Sequence, residues 1–190
     1  MNYGPMMKQA LYALEEELKR VGRDVNSEAI AGIIETHAVA TAASAAASAI
    51  IPGTGGTIAF GIACTSTITM YGRLAKEMGI TLSQGLIRAV VSALAVDLGA
   101  SVTTSIAATA ALSFIPGLGS MAASTITAIT NFAFVYLAGM MFVKLIAKFG
   151  ISRVQNMSQS EMKSAIHDVQ KGVNMTSAMK EARSSYKTNK

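Results

Sequence analysis

The sequence predicts an all-α protein made of duplicated helical hairpins with Pro-Gly breaks. Four apolar helices result, flanked by amphipathic N- and C-terminal helices, and the assembly is expected to be membrane-embedded. Three observations carry this prediction. Of 190 residues, 51% are hydrophobic and only 14% charged, against ~25% charged in an ordinary soluble domain, and the mean hydropathy is +0.42. Two tracts, 36–72 and 98–143, contain no Asp, Glu, Lys or Arg. Each tract is broken once by Pro-Gly. This composition excludes a disordered chain, which needs low hydrophobicity and high net charge. Cys64 is the single cysteine, so a disulfide framework and a multi-cysteine metal site are excluded as well.

The net charge of +5 is segregated along the chain: −2 over 1–36, +1 over 73–97 and +6 over 144–190. A helix in water needs a charged face, and the 46 residues of 98–143 cannot supply one. That tract must face lipid or other protein.

The first helix, about 6–23, places Met7, Leu11, Leu14, Leu18, Val21 and Val25 at alternating spacings of four and three, opposite Glu15, Glu17 and Lys19. The second, about 27–51, is alanine-rich: eight of the sixteen residues from Thr36 to Ile51 are alanine, and small residues let helices approach closely in lipid. It stops at Pro52, Gly53, Gly55 and Gly56. Proline lacks the amide and disfavours helix in its predecessor, and glycine then permits the turn. The third helix, about 57–78, closes on Gly79 as a C′ cap. The arms of this first hairpin are about 22 Å long, short of the ~30 Å bilayer core, so it is expected to be re-entrant or covered by its neighbours.

The fourth helix, about 82–115, opens on the capping-box spacing Thr81 to Gln84 and ends at the second break, Pro116, Gly117 and Gly119. The fifth, about 120–149, ends on Gly150. Their apolar arms, 98–115 and 120–143, correspond to roughly 27 and 36 Å, a hairpin of membrane length. The sixth, about 159–183, opens on the capping box Ser158 to Glu161 and carries the stripe Met162, Ile166, Val169 and Val173. The terminal amphipathic helices are expected to dock on the hairpins, pair with a partner helix or lie among headgroups. Three segments follow: an amphipathic 1–35, an apolar double-hairpin domain 36–151, and a basic tail 152–190.

The two breaks read as an internal repeat. Ile51-Pro52-Gly53-Thr54-Gly55 matches Ile115-Pro116-Gly117-Leu118-Gly119, and each outgoing helix closes on a basic-then-glycine signal, Ala75-Lys76-Glu77-Met78-Gly79-Ile80 and Ala147-Lys148-Phe149-Gly150-Ile151. This pairing over roughly 36–151 resembles the helical domain of unknown function that follows Era-like GTPase domains in many bacteria, whose stand-alone members are inner-membrane proteins. The resemblance implies a membrane-associated helical module working beside a GTPase or in a stress response. No Gly-Lys-Ser/Thr phosphate loop occurs in this chain, so any GTPase would act in trans.

No basic start leads into an apolar signal core, so a cleaved secretory signal is not expected. If the hairpins enter a bilayer, the positive-inside rule puts both termini and the 73–97 connection in the cytoplasm, and the resemblance implies that this bilayer is a bacterial inner membrane. Lys144, Lys148 and Arg153 are candidate contacts for anionic lipid. Asp97 has apolar sequence on both sides; it is either a membrane-edge or hydrogen-bonded residue or an intramembrane functional carboxylate.

Chemistry is sparse. His37 and His167 have no carboxylate at ligand spacing, so no metal site is predicted, and no nucleophile elbow occurs. His37 is expected at the polar edge of the first hairpin and Cys64 as a small buried hydrophobe. No cofactor and no nucleic acid are expected; the tail has only Tyr186 as an aromatic and is interleaved with acids. The favoured class is a non-enzymatic membrane protein that associates with itself, as a homo-oligomer, or with a partner, and organises, shapes or senses the membrane. The alternatives are a pore-forming or membrane-active effector and a soluble helical adaptor whose apolar face a partner covers.

Overall fold

A computed structural model describes residues 4–49, 51, 54–97 and 119–188, and the chain is mostly helical there. Among them are eight helices and no strand: α1 (Pro5–Arg20), α2 (Ser27–Ser48), α3 (Gly55–Glu77), α4 (Gln84–Asp97), α5 (Gly119–Phe149), α6 (Ile151–Gln155), α7 (Gln159–Lys171) and α8 (Met175–Thr188). By length and composition α2 and α5 could each cross a membrane. The expected helix over 98–115 and the residues Pro52, Gly53, Pro116 and Gly117 lie outside the described residues.

Helix ends follow local chemistry. Gly79 takes φ +64°; its amide bonds the Lys76 carbonyl at 3.1 Å and the Ile80 amide bonds Ala75 at 2.7 Å, which is a Schellman cap. Gly150 closes α5 with φ +75°. At the start of α7 the Ser158 hydroxyl accepts from the Glu161 amide at 3.3 Å while the Glu161 carboxylate accepts from the Ser158 amide at 2.8 Å, the reciprocal box expected from sequence.

Several boundaries differ from expectation: α2 stops at Ser48 rather than 51, α3 starts at Gly55 rather than 57, and the short α6 is additional. The first helix ends at Arg20, because Gly22 at φ +69° reverses the chain through a second Schellman pair. Val21 is therefore exposed, while Met7, Leu11, Leu14 and Leu18 of the same stripe are buried. The fourth helix starts at Gln84, with Ser83 rather than Thr81 receiving the Leu86 amide at 3.2 Å. The sixth helix is two, split at Gly172: the Asn174 side chain accepts from the Ser177 amide at 3.0 Å and opens α8 afresh. The split lets α8 fold back so that Tyr186 meets the Phe132 ring at 5.2 Å.

α5 is the centre of the fold. Every residue from Asn131 to Val143 is buried, packed by α1, α2, α3, α7 and α8, while α4 lies on α7 and α3. The Tyr71 ring stacks on Phe142 at 4.5 Å and its hydroxyl donates to the Ala138 carbonyl at 2.9 Å. Gly139 is required where α2 crosses, since a Cβ there would stand 2.7 Å from Ile34. The charge-free tract 98–143, which had to meet lipid or protein, thus meets protein along 131–143. On the first hairpin, expected to be re-entrant or covered by its neighbours, Val39, Ala43, Gly61 and Thr65 are exposed.

Candidate functional site

Among the described residues, the end of the molecule at the first hairpin carries no charged side chain. Gly55 and Gly56 are buried in the first turn of α3, and a Cβ at Gly55 would run into the Ser48 and Ala49 backbone, which explains a glycine at this break. The Ser124 hydroxyl donates to the Ala46 carbonyl at 3.0 Å and so brings the start of α5 to the same end. There Ile51, Ile58 and Met121 are 46%, 43% and 72% exposed. Between Thr36 and Gly72 the outward faces of α2 and α3 carry Val39, Ala40, Ala43, Ser44, Gly61 and Thr65. No charge lies among them.

Four of the exposed hydroxyls on this surface are turned inward. Ser44, Thr65, Thr69 and Thr125 each donate to the carbonyl four residues back, at 3.0, 3.0, 3.2 and 3.0 Å. A hydroxyl satisfied by its own helix does not depend on water. A groove of about 610 Å³ runs between α2 and α3, lined by Ala40, Thr41, Ser44, Ile58, Gly61 and Thr65 among others. At its far end His37 bonds Ser66 at 3.2 Å and lies 3.4 Å from Arg73. This is the polar edge expected of His37.

No family model, curated protein or solved structure matches this chain. The geometry alone therefore carries the functional reading. Charges gather away from the hairpin tip: Arg23 donates to the Met78 and Gly79 carbonyls at 3.1 and 2.8 Å, where α3 ends. Lys148 and Arg153 converge on one ring, each 5.4 Å from the Phe149 centroid. Lys148 is also held by Asp168 at 2.7 Å, so of these two candidate lipid contacts Arg153 has the less committed charge. Lys144 lies one turn before Lys148 on α5 and is half-buried. Asp97 closes α4, with its side chain outside the described set; Gly119 begins α5, the position matching Gly55 in α3.

Cys64 is half-buried rather than buried. Among the described residues no group of three His, Cys, Asp or Glu side chains comes together. Two features escaped the sequence: Glu181, which caps α1 from the far end of the chain, and the Thr41 hydroxyl, buried in the groove with no partner. A Gly4-Pro5 start with no capping side chain was the one local sign that α1 borrows its cap from elsewhere.

Proposed function

We propose that this chain is a non-enzymatic membrane protein that enters a bilayer tip-first through the α2–α3 hairpin and there associates with itself or with a partner helix. The observation that carries this reading is the outward hairpin face, uncharged from 36 to 72, whose hydroxyls at Ser44, Thr65 and Thr69 already bond their own backbone. Such a surface loses little on leaving water. Exposed Ile51, Ile58 and Met121 lead the way. The basic tail stays on the cytoplasmic side of the inner membrane, with Arg153 near anionic headgroups. A GTPase acting in trans remains the partner class that the sequence resemblance suggests.

The test is depth-sensitive fluorescence. In a Cys64→Ser background, a polarity-sensitive dye on Ile58→Cys is expected to shift to the blue on adding phosphatidylglycerol-containing vesicles, while the same dye on Ser164→Cys stays in water. No shift at position 58 would remove the reading.

A membrane-active effector is the second reading, favoured by one observation. α5 is long and apolar enough to cross a bilayer and is sheathed by the amphipathic α1, α7 and α8. Release of that sheath would expose it. Leakage of a dye from vesicles is expected only in this second case.

A further inference from the structure

Three polar side chains meet where the charge-free hairpin ends. His37 on α2 lies between two residues of α3, 3.2 Å from the Ser66 hydroxyl and 3.4 Å from the Arg73 guanidinium. A guanidinium only donates. The Arg73 contact therefore makes His37 Nε2 an acceptor and leaves the ring proton on Nδ1, which donates to the Ser66 oxygen. The Ser66 O–H is then left over, and no described residue accepts it. Arg73 is exposed, keeps its other N–H groups, and forms no ion pair among the described residues. Every open valence of the cluster is thus a donor, and one donor is charged. An oxyanion fits such a set, and a phosphate can take the planar guanidinium bidentately. The nearby carboxylates stand aside: Glu35, two residues before His37, lies about 200° round α2 from it, and Glu77 is one turn beyond Arg73.

A second, independent observation describes the rest of the ligand. The cluster stands at one end of the groove between α2 and α3, with Ile58 at the other and no Asp, Glu, Lys or Arg along it. From Thr69 to Ile58 the groove follows eleven residues of α3, about 16 Å. Half of the ~30 Å bilayer core, the depth of one leaflet, is ~15 Å. Ser44, Thr65 and Thr69 donate to their own helices, so a hydrocarbon chain lying on Ala40, Gly61 and Ile62 strands no donor of theirs. Glu35 and Arg73 are also the charges that bound 36–72, which is the headgroup level for a hairpin entering tip-first.

We propose that this groove holds one acyl chain of an anionic phospholipid, whose phosphate is received by Arg73 and Ser66 beside His37. The inference rests on the membrane reading above and deepens it, making the anionic lipid a ligand at a fixed place instead of a diffuse counter-charge. Phosphatidylcholine also carries a phosphate, but it brings a cation beside Arg73 and loses part of the attraction.

The full chain is reconstituted with equal amounts of phosphatidylglycerol and phosphatidylcholine, recovered by flotation, taken into mild detergent and weighed by native mass spectrometry. One retained phosphatidylglycerol per chain is expected, favoured about tenfold over phosphatidylcholine. Arg73→Gln should remove that preference, while Lys76→Gln, an equal loss of charge about one turn along the same helix, should keep it. Both side chains are exposed, so circular dichroism should be unchanged in each. Gly61→Leu, at a groove position with nothing described within 4 Å of an added Cβ, should lower retention of both lipids. If the parent floats but retains no phosphatidylglycerol, or Lys76→Gln costs as much as Arg73→Gln, the attraction is diffuse; the site is then lost and the membrane reading stands. Glycerol 3-phosphate tests a soluble ligand: an Arg73-dependent NMR shift of the Ser66 amide without lipid would make the ligand a free phosphate ester and overturn the proposal. If the protein does not float, both inferences fall.

Discussion

The Glu181 carboxylate accepts the Met6 amide at 2.7 Å, so that a side chain of the last helix caps the first across 175 residues of sequence. The Met7 amide joins at 3.0 Å and the Tyr136 hydroxyl at 3.3 Å. The need is local: the N-cap is Gly4, with no side chain to offer, and Pro5 follows it. A carboxylate at a helix N-terminus also meets the positive end of the helix dipole.

Glu181→Ala is expected to cost about 1–2 kcal/mol of stability, the value of a lost N-cap plus a favourable dipole contact. Glu181→Gln, which keeps one acceptor and loses the charge, should lie between the variant and the parent. Chemical denaturation measures both. Amide exchange at Met6 and Met7 should speed up in step, and unchanged exchange there would show that α1 does not depend on the cap.

Two helical glycines should respond in opposite directions to the same substitution. Gly139→Ala puts a methyl 2.7 Å from the β-branched, stiff side chain of Ile34 and is expected to destabilise by about 1–3 kcal/mol. Gly32→Ala, on α2 with nothing described within 4 Å, should stabilise by about 0.5–1 kcal/mol. Thermal melts of the pair decide. Equal shifts would mean that the α2–α5 crossing is looser than the Gly139–Ile34 distance indicates.

The Lys148–Asp168 pair sets a pH dependence of known sign. The Lys148 ammonium, bonded at 2.7 Å, holds the Asp168 carboxyl below its usual range. A carboxyl depressed in the folded state contributes stability above its unfolded pKa, ~3.9, and loses that contribution as the pH falls through the folded value. Glu161, held down first by the Ser158 hydroxyl, acts in the same direction. Both groups are exposed, so the effect is small and salt-sensitive. Carboxyl titration by NMR should find the Asp168 midpoint moving up in Lys148→Met. An unmoved midpoint would show the ion pair to be absent in solution.

Local chemistry was legible in the sequence. Gly79, Gly150 and the Ser158–Glu161 box act within a few residues of themselves, so spacing alone located them. What a charge-free tract packs against was not legible. Lack of charge says that water is unsuitable, and it does not choose between lipid and protein. The buried run from Asn131 to Val143 meets its own chain, whereas the shorter hairpin, with its tip at Ile51 and Ile58, turns outward. The split of the last helix is not legible because the apolar stripe continues from Val169 to Val173 across Gly172, and only Asn174 stands between Val173 and α8. Glu181 and Met6 could not have been paired from sequence, since no periodicity links residues that far apart.

Gln170 is the place where the packing of α7 carries an unmet cost. Both its amide nitrogen and its amide oxygen are buried without a hydrogen-bond partner, on a helix that packs against α4 and α5. An unpaired buried polar group costs about 1–3 kcal/mol, and replacing it by an apolar group of similar shape removes that cost without opening a cavity. Gln170→Leu and Gln170→Met are therefore expected to raise stability by roughly 1–2 kcal/mol, read as a higher denaturant midpoint at unchanged slope. The slope matters, because a smaller one would mean a more compact unfolded state rather than a better core. If both variants are instead less stable than the parent, the amide is satisfied in solution, and α7 sits against a polar group that its apolar neighbours Val169 and Ile166 do not provide.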